Sequence, residues 1–351
     1  MATSNSQRFL TKDGDDRDIA LTMFWGTVLE AFRAETVLWN SVGEMGVGPN
    51  AAPVIASRTM TEGKSWDFPI IGDDPTPEYH TPGTELLGQD VSLDKGTITI
   101  DDILVSHYDV PLDQVTISHF DVIAPFARKL GRSLATDFDK KLIITGVKAA
   151  RTGAVTGIHS GGQRKIISGS ATVAAAYPAT NTGANSFRND VAELAQLLDD
   201  INTPMAGRYL LISPYIRRIL GSSDAANNPI SIWNKDFTAG ENGINTRTIG
   251  ILEGFQVLVT THLPDSNITS GPSKYQGNFT VAGGGDGQPA ALALCGADEG
   301  SAAIGYVTAG GVQPHLEPDH RRNTTFMKAQ MMVGAGVLSP WCAGEIHVDT
   351  A

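Results

Sequence analysis

Between Ala56 and Arg151 the chain alternates bulky and polar residues, breaks into a run rich in proline and acid, alternates again, and then changes period. Alternation at period two places side chains on opposite faces of a strand, whereas spacings of three and four line one face of a helix. Ser57–Ile71 (SRTMTEGKSWDFPII) and Val91–Val115 therefore read as two strands of one long hairpin, with Ile98, Ile100, Ile103 and Val105 leading toward Val110, Leu112 and Val115. Asp73–Asp90 (DDPTPEYHTPGTELLGQD) forms its exposed tip, since proline is confined to strand edges and turns. At ~3.3 Å per residue, arms of about 15 residues reach ~50 Å, beyond the radius of a compact domain.

From Ser118 the apolar residues Phe120, Ile123, Ala127, Leu130, Leu134, Phe138 and Leu142 recur at helical spacing, opposed by Arg128, Lys129, Arg132, Asp137, Lys140 and Lys141. Continued to Arg151, this predicts one helix of ~50 Å, where about 11 residues is the mean helix length. A compact enzyme has little use for a hairpin that leaves its own core. A subunit that clasps its neighbours does.

The flanks supply a body for these two elements. Residues 1–15 are polar; Asp16–Val42 is helical in period, as one helix or two short ones; and Gly43–Pro53 is a flexible strap. Thr152–Asn185, rich in Gly, Ser, Thr and Ala, marks a boundary. An α/β unit follows, with helix Phe187–Ile201, buried strand Arg208–Ile212, a helix Pro214–Leu220 with proline in its first turn, and a bent or paired strand Ile249–Thr260 turning at Glu253-Gly254. Asp265–Pro289 reads as a long surface loop and Ala302–Val307 as a strand. Gln313–Val348 holds a polar linker (EPDHRRNTT), one or two apolar strands from Phe326 to Val337, and a closing Pro340-Trp341 turn.

Composition removes several classes of function. Hydrophobic residues make up 41% and charged ones 18% of the 351 residues, so most segments can bury a face. The formal net charge of −12 argues against a conventional nucleic-acid binder, which neutralises phosphates with clustered Lys and Arg. Cys295 and Cys342 are too few and too isolated for a metal site or disulfide framework and read as small buried hydrophobes. No apolar run has the length of a signal peptide or membrane span, so a soluble protein is expected.

Catalytic motifs fail on inspection. Gly63-Lys64-Ser65 matches the second half of a phosphate-binding loop, but Arg58 stands where that motif needs glycine and the following WDFPII reads as a strand. Gly283–Gly287 lacks strand-to-helix context, and His315 and His320 lie in a solvated linker. The acid pairs Asp73-Asp74, Asp101-Asp102 and Asp199-Asp200 are adjacent in sequence, which points strand carboxylates apart. No enzyme, cofactor or metal site is expected.

Three blocks carry a resemblance: EGKSWDFPIIG (Glu62–Gly72), ITIDDILVSHYDVPLDQV (Ile98–Val115) followed by SHFDV, and LGRSLATDFDKKLI (Leu130–Ile143). Together with Gly254-Phe255 before HLP and the Arg-rich EPDHRRNTTFMKAQ, in this order, they resemble the major capsid proteins of short-tailed, podovirus-type phages. The resemblance implies an α+β Hong Kong 97-like capsid fold: N-terminal arm 1–55, extended loop 56–115, peripheral domain 116–187 with the spine helix, axial domain 188–312, and a C-terminal return 313–351. It implies a virion shell protein that self-assembles as hexamers and pentamers around double-stranded DNA, made in the host cytoplasm. Separate scaffolding and portal proteins would be its partners, and a decoration protein could join them. The extended loop would lie across a neighbour, with Trp66 and Phe68 as apolar anchors, Lys64 and Asp67 setting register, and Asp73, Asp74, Glu78 and Tyr79 at the tip. An encapsulin-like compartment and a nucleotide-using enzyme built on Gly63–Ser65 are the alternatives.

Overall fold

The computed structural model describes residues 14–36, 38, 55–72, 75–85, 88–89, 92–111, 123–205, 207–220, 250–281, 286–296, 302–319 and 322–350. The strap 43–53 and the junction 112–122 lie outside them.

The period change near Ser118 becomes a 29-residue helix, α2 (Ile123–Arg151), ~43 Å long. Leu130, Leu134, Phe138, Leu142 and Val147 form its buried stripe. The N-terminal helix α1 (Gly14–Glu35) lies along it as one helix. A Cβ on Gly131 would stand 2.4 Å from the Val28 carbonyl oxygen, so glycine is what lets the two backbones touch. Phe138 then reaches the Phe32 ring at 5.9 Å and the Tyr306 ring at 5.4 Å, tying both helices to a strand.

Behind α2 stands a six-stranded sheet. Its strands are β5 (Gln163–Ile167), β6 (Tyr209–Ile212), β7 (Ile251–Leu252), β8 (Phe255–Val259), β11 (Gln288–Leu294) and β16 (Ala343–Val348), in spatial order β5-β16-β11-β6-β8-β7. Leu292 pairs with Glu345, so both face one side, and Gly344 faces the other. A Cβ on Gly146 of α2 would meet Leu292 at 3.0 Å, while a Cβ on Gly344 would meet Leu194 of helix α4 (Asn181–Asp200) at the same distance. The sheet is thus covered on both faces, which is why β6, β11 and β16 are buried almost throughout. Two short helices, α3 (Val173–Ala176) and α5 (Pro214–Leu220), complete this unit.

Several expectations needed correction. The 152–185 boundary segment contains β5 and the start of α4, which opens six residues before Phe187. Thr180 caps it by accepting from the Gly183 amide at 3.4 Å. The surface loop 265–289 is no bare loop. It carries β9 (Asn267–Ile268) paired with β10 (Gly277–Asn278), and buries Tyr275 and Phe279. Lys148 of α2 fastens it by donating to the Lys274 and Gln276 carbonyls at 2.7 and 2.8 Å. The polar linker is a hairpin: β13 (Gln313–Asp319) pairs with β14 (Thr324–Met331), turning beside Asn323 at φ 56°. β15 (Val333–Val337) follows, and β16 after the Pro340-Trp341 turn was not anticipated. The paired strand at Glu253-Gly254 is found as expected, φ values of 48° and 86° making the tight turn. Cys295 and Cys342 are buried, and burial pushes the Cys295 thiol up to about 12.

One buried ionic cluster joins the C-terminal end of α2 to the sheet. Arg151 donates Nε to Glu345 Oε2 at 2.8 Å and Nη2 to Oε1 at 2.6 Å, and bonds the Gly287 carbonyl at 3.0 Å. His347 is buried two residues along β16, and burial, then the Arg151 and Arg164 charges, pull its pKa from 6.5 to about 4. A base whose folded pKa is depressed favours the folded state above its unfolded pKa, and this contribution is lost as pH falls through the folded value. Between pH 6.5 and 4 the protein is therefore expected to lose roughly 3 kcal/mol on this account. Urea midpoints of wild type and His347→Gln across that window test this; parallel pH profiles would contradict it.

Candidate functional site: the projecting hairpin and its anchorage

The expected 50 Å hairpin is shorter and better anchored than the sequence implies. Its first arm splits at Gly63, at φ +83°. Before the split, β1 (Ile55–Thr59) runs parallel to β12 (Ile304–Thr308) in a sheet completed by β15. After it, β2 (Ser65–Ile71) pairs with β3 (Leu93–Thr99). The second arm breaks at Ile100–Ile103, and β4 (Leu104–Pro111) joins β14. The free ladder is seven residues, ~23 Å, because the first arm begins, and the second arm ends, in a body sheet.

The register assigns two faces. Trp66 lies opposite Ile98, and Phe68 opposite Gly96. The Phe68 ring covers Gly96 so closely that a Cβ there would stand 2.1 Å from it. Trp66 and Phe68 are half-buried against a small core of Ala56, Ile98, Ala302, Val307 and Leu338, with the Arg58 guanidinium 5.6 Å from the Trp66 ring centre. The aromatics expected to anchor a neighbour thus pack first on their own subunit. The opposite face presents Asp67, Pro69 and Ile71 beside Thr97, Lys95 and Leu93. Asp67 bonds Lys95 at 2.6 Å and Thr97 at 2.7 Å, and these partners hold its carboxyl below the usual range. Distally, Ile71 and Leu93 stand directly opposite each other at 68% and 71% exposure, an apolar pair left open among the described residues.

Beyond this pair the tip is exposed throughout residues 75–85. Gln89 clamps it, donating to the Thr76 carbonyl at 2.7 Å, accepting from the Thr76 amide at 2.8 Å and reaching Glu78 at 3.2 Å. Tyr79 is fully exposed. Lys64 is exposed, and its carbonyl accepts from the Ile100 amide at 2.7 Å. Asp73 and Asp74 lie outside the described residues.

At the base, Lys274 bonds the Thr99 carbonyl at 2.7 Å and Asp101 at 2.8 Å, and the Tyr275 hydroxyl accepts from the Ala335 amide at 2.8 Å. Lys141 and Lys274 lie 5.6 and 5.2 Å from the Tyr275 ring centre. Burial, reinforced by Asp101, holds that phenol protonated. The hairpin base, α2 and β15 therefore meet at Tyr275. Sequence reading missed Asp101, Lys274 and Tyr275 because their partners are 60 or more residues away; the cross-strand pairing that exposes Ile71 and Leu93 was legible once the register was known.

Ser65 opens a strand, so no helix N-terminus backs Gly63–Ser65 to hold a phosphate, and the nucleotide reading loses its only support. Among the described residues no cluster of His, Cys, Asp or Glu could hold a metal ion, and no helix is long and apolar enough to cross a membrane.

A spine helix, a covered sheet and a projecting, body-anchored hairpin define a shell-forming subunit with a phage-capsid fold. The chain belongs to the Gp10A-like major capsid protein family, whose model matches residues 67–347. The capsid protein of the cyanophage P-SCSP1u is similar over 85% of this chain and 87% of its own, at 27% identity and TM-score 0.69. The mature capsid protein of bacteriophage PhiM1 is similar over 83% and 85%, at 15% identity and TM-score 0.63. A virus-like particle from Pyrococcus furiosus shares the fold over 93% and 99%, at 12% identity and TM-score 0.51. No curated protein matches the sequence. The protein is a phage major capsid protein; the compartment reading is not favoured, since the likeness to the Pyrococcus particle is one of fold alone.

Proposed function

We propose that this subunit assembles through hexamers and pentamers into an icosahedral phage head enclosing double-stranded DNA, and that the hairpin is the clasp between neighbours. The observation that carries this reading is the projecting hairpin, whose ladder end and tip hold Ile71, Leu93 and Tyr79, three of the four most exposed large apolar or aromatic side chains among the described residues. The expected division serves it: an arm to residue 55, the loop 56–115, a peripheral domain 116–187 completed by 313–351, and an axial domain 188–312 meeting its copies at the capsomer centre. Lys64, Asp67, Glu78, Tyr79, and Asp73 and Asp74 beside them, are interface residues in this reading; Trp66 and Phe68 support the ladder from beneath. Assembly in the host cytoplasm would use separate scaffolding and portal proteins, and a decoration protein could bind the finished shell.

Each subunit makes several such contacts, so modest pairwise interfaces sum to a stable closed shell. Deletion of residues 73–90 is expected to leave the subunit folded, because the described residues 75–85 bury nothing, while lowering particle yield at least tenfold. Circular dichroism and sedimentation of the variant, coexpressed with its scaffold, check this. Particles of normal yield and heat resistance would refute the clasp.

A further inference from the structure

We propose that Cys295 and Cys342 form a covalent modification site, a cross-strand dithiol that a small-molecule disulfide oxidises to a disulfide within the subunit, stapling the C-terminal strand β16 to β11. The site stands apart from the hairpin and does not depend on the clasp reading.

The two cysteines are distant in sequence, and the fold alone brings them together. β11 and β16 pair antiparallel with Ala293 opposite Gly344 and Leu294 opposite Ala343, so the next step of the same register sets Cys295 opposite Cys342. The Cys295 amide donates to the Cys342 carbonyl at 2.8 Å, which carries the pairing through that step. Antiparallel residues joined in this way stand ~5.5 Å apart at Cα, inside the ~4.4–6.8 Å that a disulfide spans. Both cysteines are fully buried, and Cys342 is near enough to act on the Cys295 thiol electrostatically.

The neighbour on the other side of Cys295 supplies the charge that thiol exchange needs. β6 pairs with β11 with Tyr209 opposite Leu294, which brings Arg208 beside Cys295. Its buried guanidinium is fixed by Asp199 Oδ1 at 2.6 Å and the Thr203 carbonyl at 2.9 Å. Burial holds the Cys295 thiol protonated and the Arg208 charge draws it back toward the thiolate, the attacking species. The pair is therefore inert while covered and reactive once opened. Its cover is the turn Pro340–Cys342, where the Trp341 ring lies 5.7 Å from the His159 ring and the Trp341 carbonyl accepts from the Thr203 hydroxyl at 3.3 Å.

Oxidation runs as two exchanges. The Cys295 thiolate attacks one sulfur of the small disulfide, forming a mixed disulfide and releasing one small thiolate; the Cys342 thiolate then attacks the Cys295 sulfur, forming the protein disulfide and releasing the second. Two electrons pass to the small disulfide, and the two thiol protons end on the two small thiols. Such a bond lasts in protein that has left a cell and is kept reduced inside one.

The test is to incubate the purified subunit with oxidised glutathione, then denature it in the presence of N-ethylmaleimide. The expected product is two hydrogens lighter than the reduced chain, carries no maleimide, takes up two after reduction, and yields a non-reduced peptide joining Cys295 to Cys342. The oxidised subunit is expected to unfold in urea at least tenfold more slowly than the reduced one. In Cys342→Ala the exchange should halt with one glutathione on Cys295 and no slowing. Wild-type protein that still takes up two maleimides, stops at glutathione adducts, or links one subunit to another instead would overturn the site. Oxidised protein that unfolds at the reduced rate would overturn the staple.

Discussion

Arg151→Met is expected to destabilise the subunit by ~3–5 kcal/mol, the range for removing one member of a buried ion pair. The reason lies in what is left behind. Glu345 is wholly buried in β16, and its carboxyl is pushed up by burial and drawn back first by the Arg151 bonds and charge, then by the Arg164 charge. Without the guanidinium Glu345 loses both of these hydrogen bonds and keeps only the more distant Arg164 charge to offset its burial, and the Gly287 carbonyl also loses a donor. The Arg151 stem packs toward Phe279, with the guanidinium 5.3 Å from that ring's centre, so the sheet, α2 and the 265–289 segment loosen together. Urea unfolding of the unassembled subunit measures the loss. Arg151→Met combined with Glu345→Gln, which removes the stranded charge, is expected to recover part of it; a single variant within 1 kcal/mol of wild type would contradict the buried-pair account.

Gly334→Ala is expected to detach the hairpin from the body. An added Cβ would stand 1.9 Å from the Thr99 carbonyl oxygen and 2.9 Å from the Ile100 Cα, and both obstacles are backbone. β15 and the end of β3 must move apart, which strains the Lys274 bond to Thr99 and the Tyr275 bond to Ala335. Overpacking of this kind costs about 1–3 kcal/mol, so the subunit is expected to stay folded. Its hairpin would be set at a wrong angle, and particle yield is expected to fall at least tenfold. Hydrogen exchange should rise at residues 93–101 and remain unchanged in β6 and β11. Gly26→Ala, where a Cβ meets nothing within 4 Å, is the control. Wild-type assembly by Gly334→Ala would show that the hairpin angle is not set at this contact.

Local chemistry made much of the fold legible in the sequence. The spine helix was visible because its apolar residues hold the 3.6 period for eight turns, and the Glu253-Gly254 turn because few residues other than glycine tolerate positive φ. The hairpin was visible as alternation, yet its anchorage was not. Alternation reports which residues share a face but not which strand lies alongside, and β1 pairs with a strand some 250 residues away. β5 and β16 escaped for a related reason: QRKII is short and sits among glycines and serines, and AGEIHV carries a Glu and a His that become core residues only because Arg151 arrives from elsewhere. Trp66 and Phe68 read in the sequence as anchors for a neighbour because the subunit's own minor core beneath them comes from distant segments that alternation does not reveal. Tyr275 was hidden in a stretch whose composition says loop.

Electron microscopy of the purified protein, coexpressed with its scaffold, tests the central claim most directly. The account predicts closed icosahedral shells in which each hairpin lies across the adjacent subunit of the ring. A protein that stays monomeric at every concentration, or shells whose hairpins fold back on their own subunits, would contradict it.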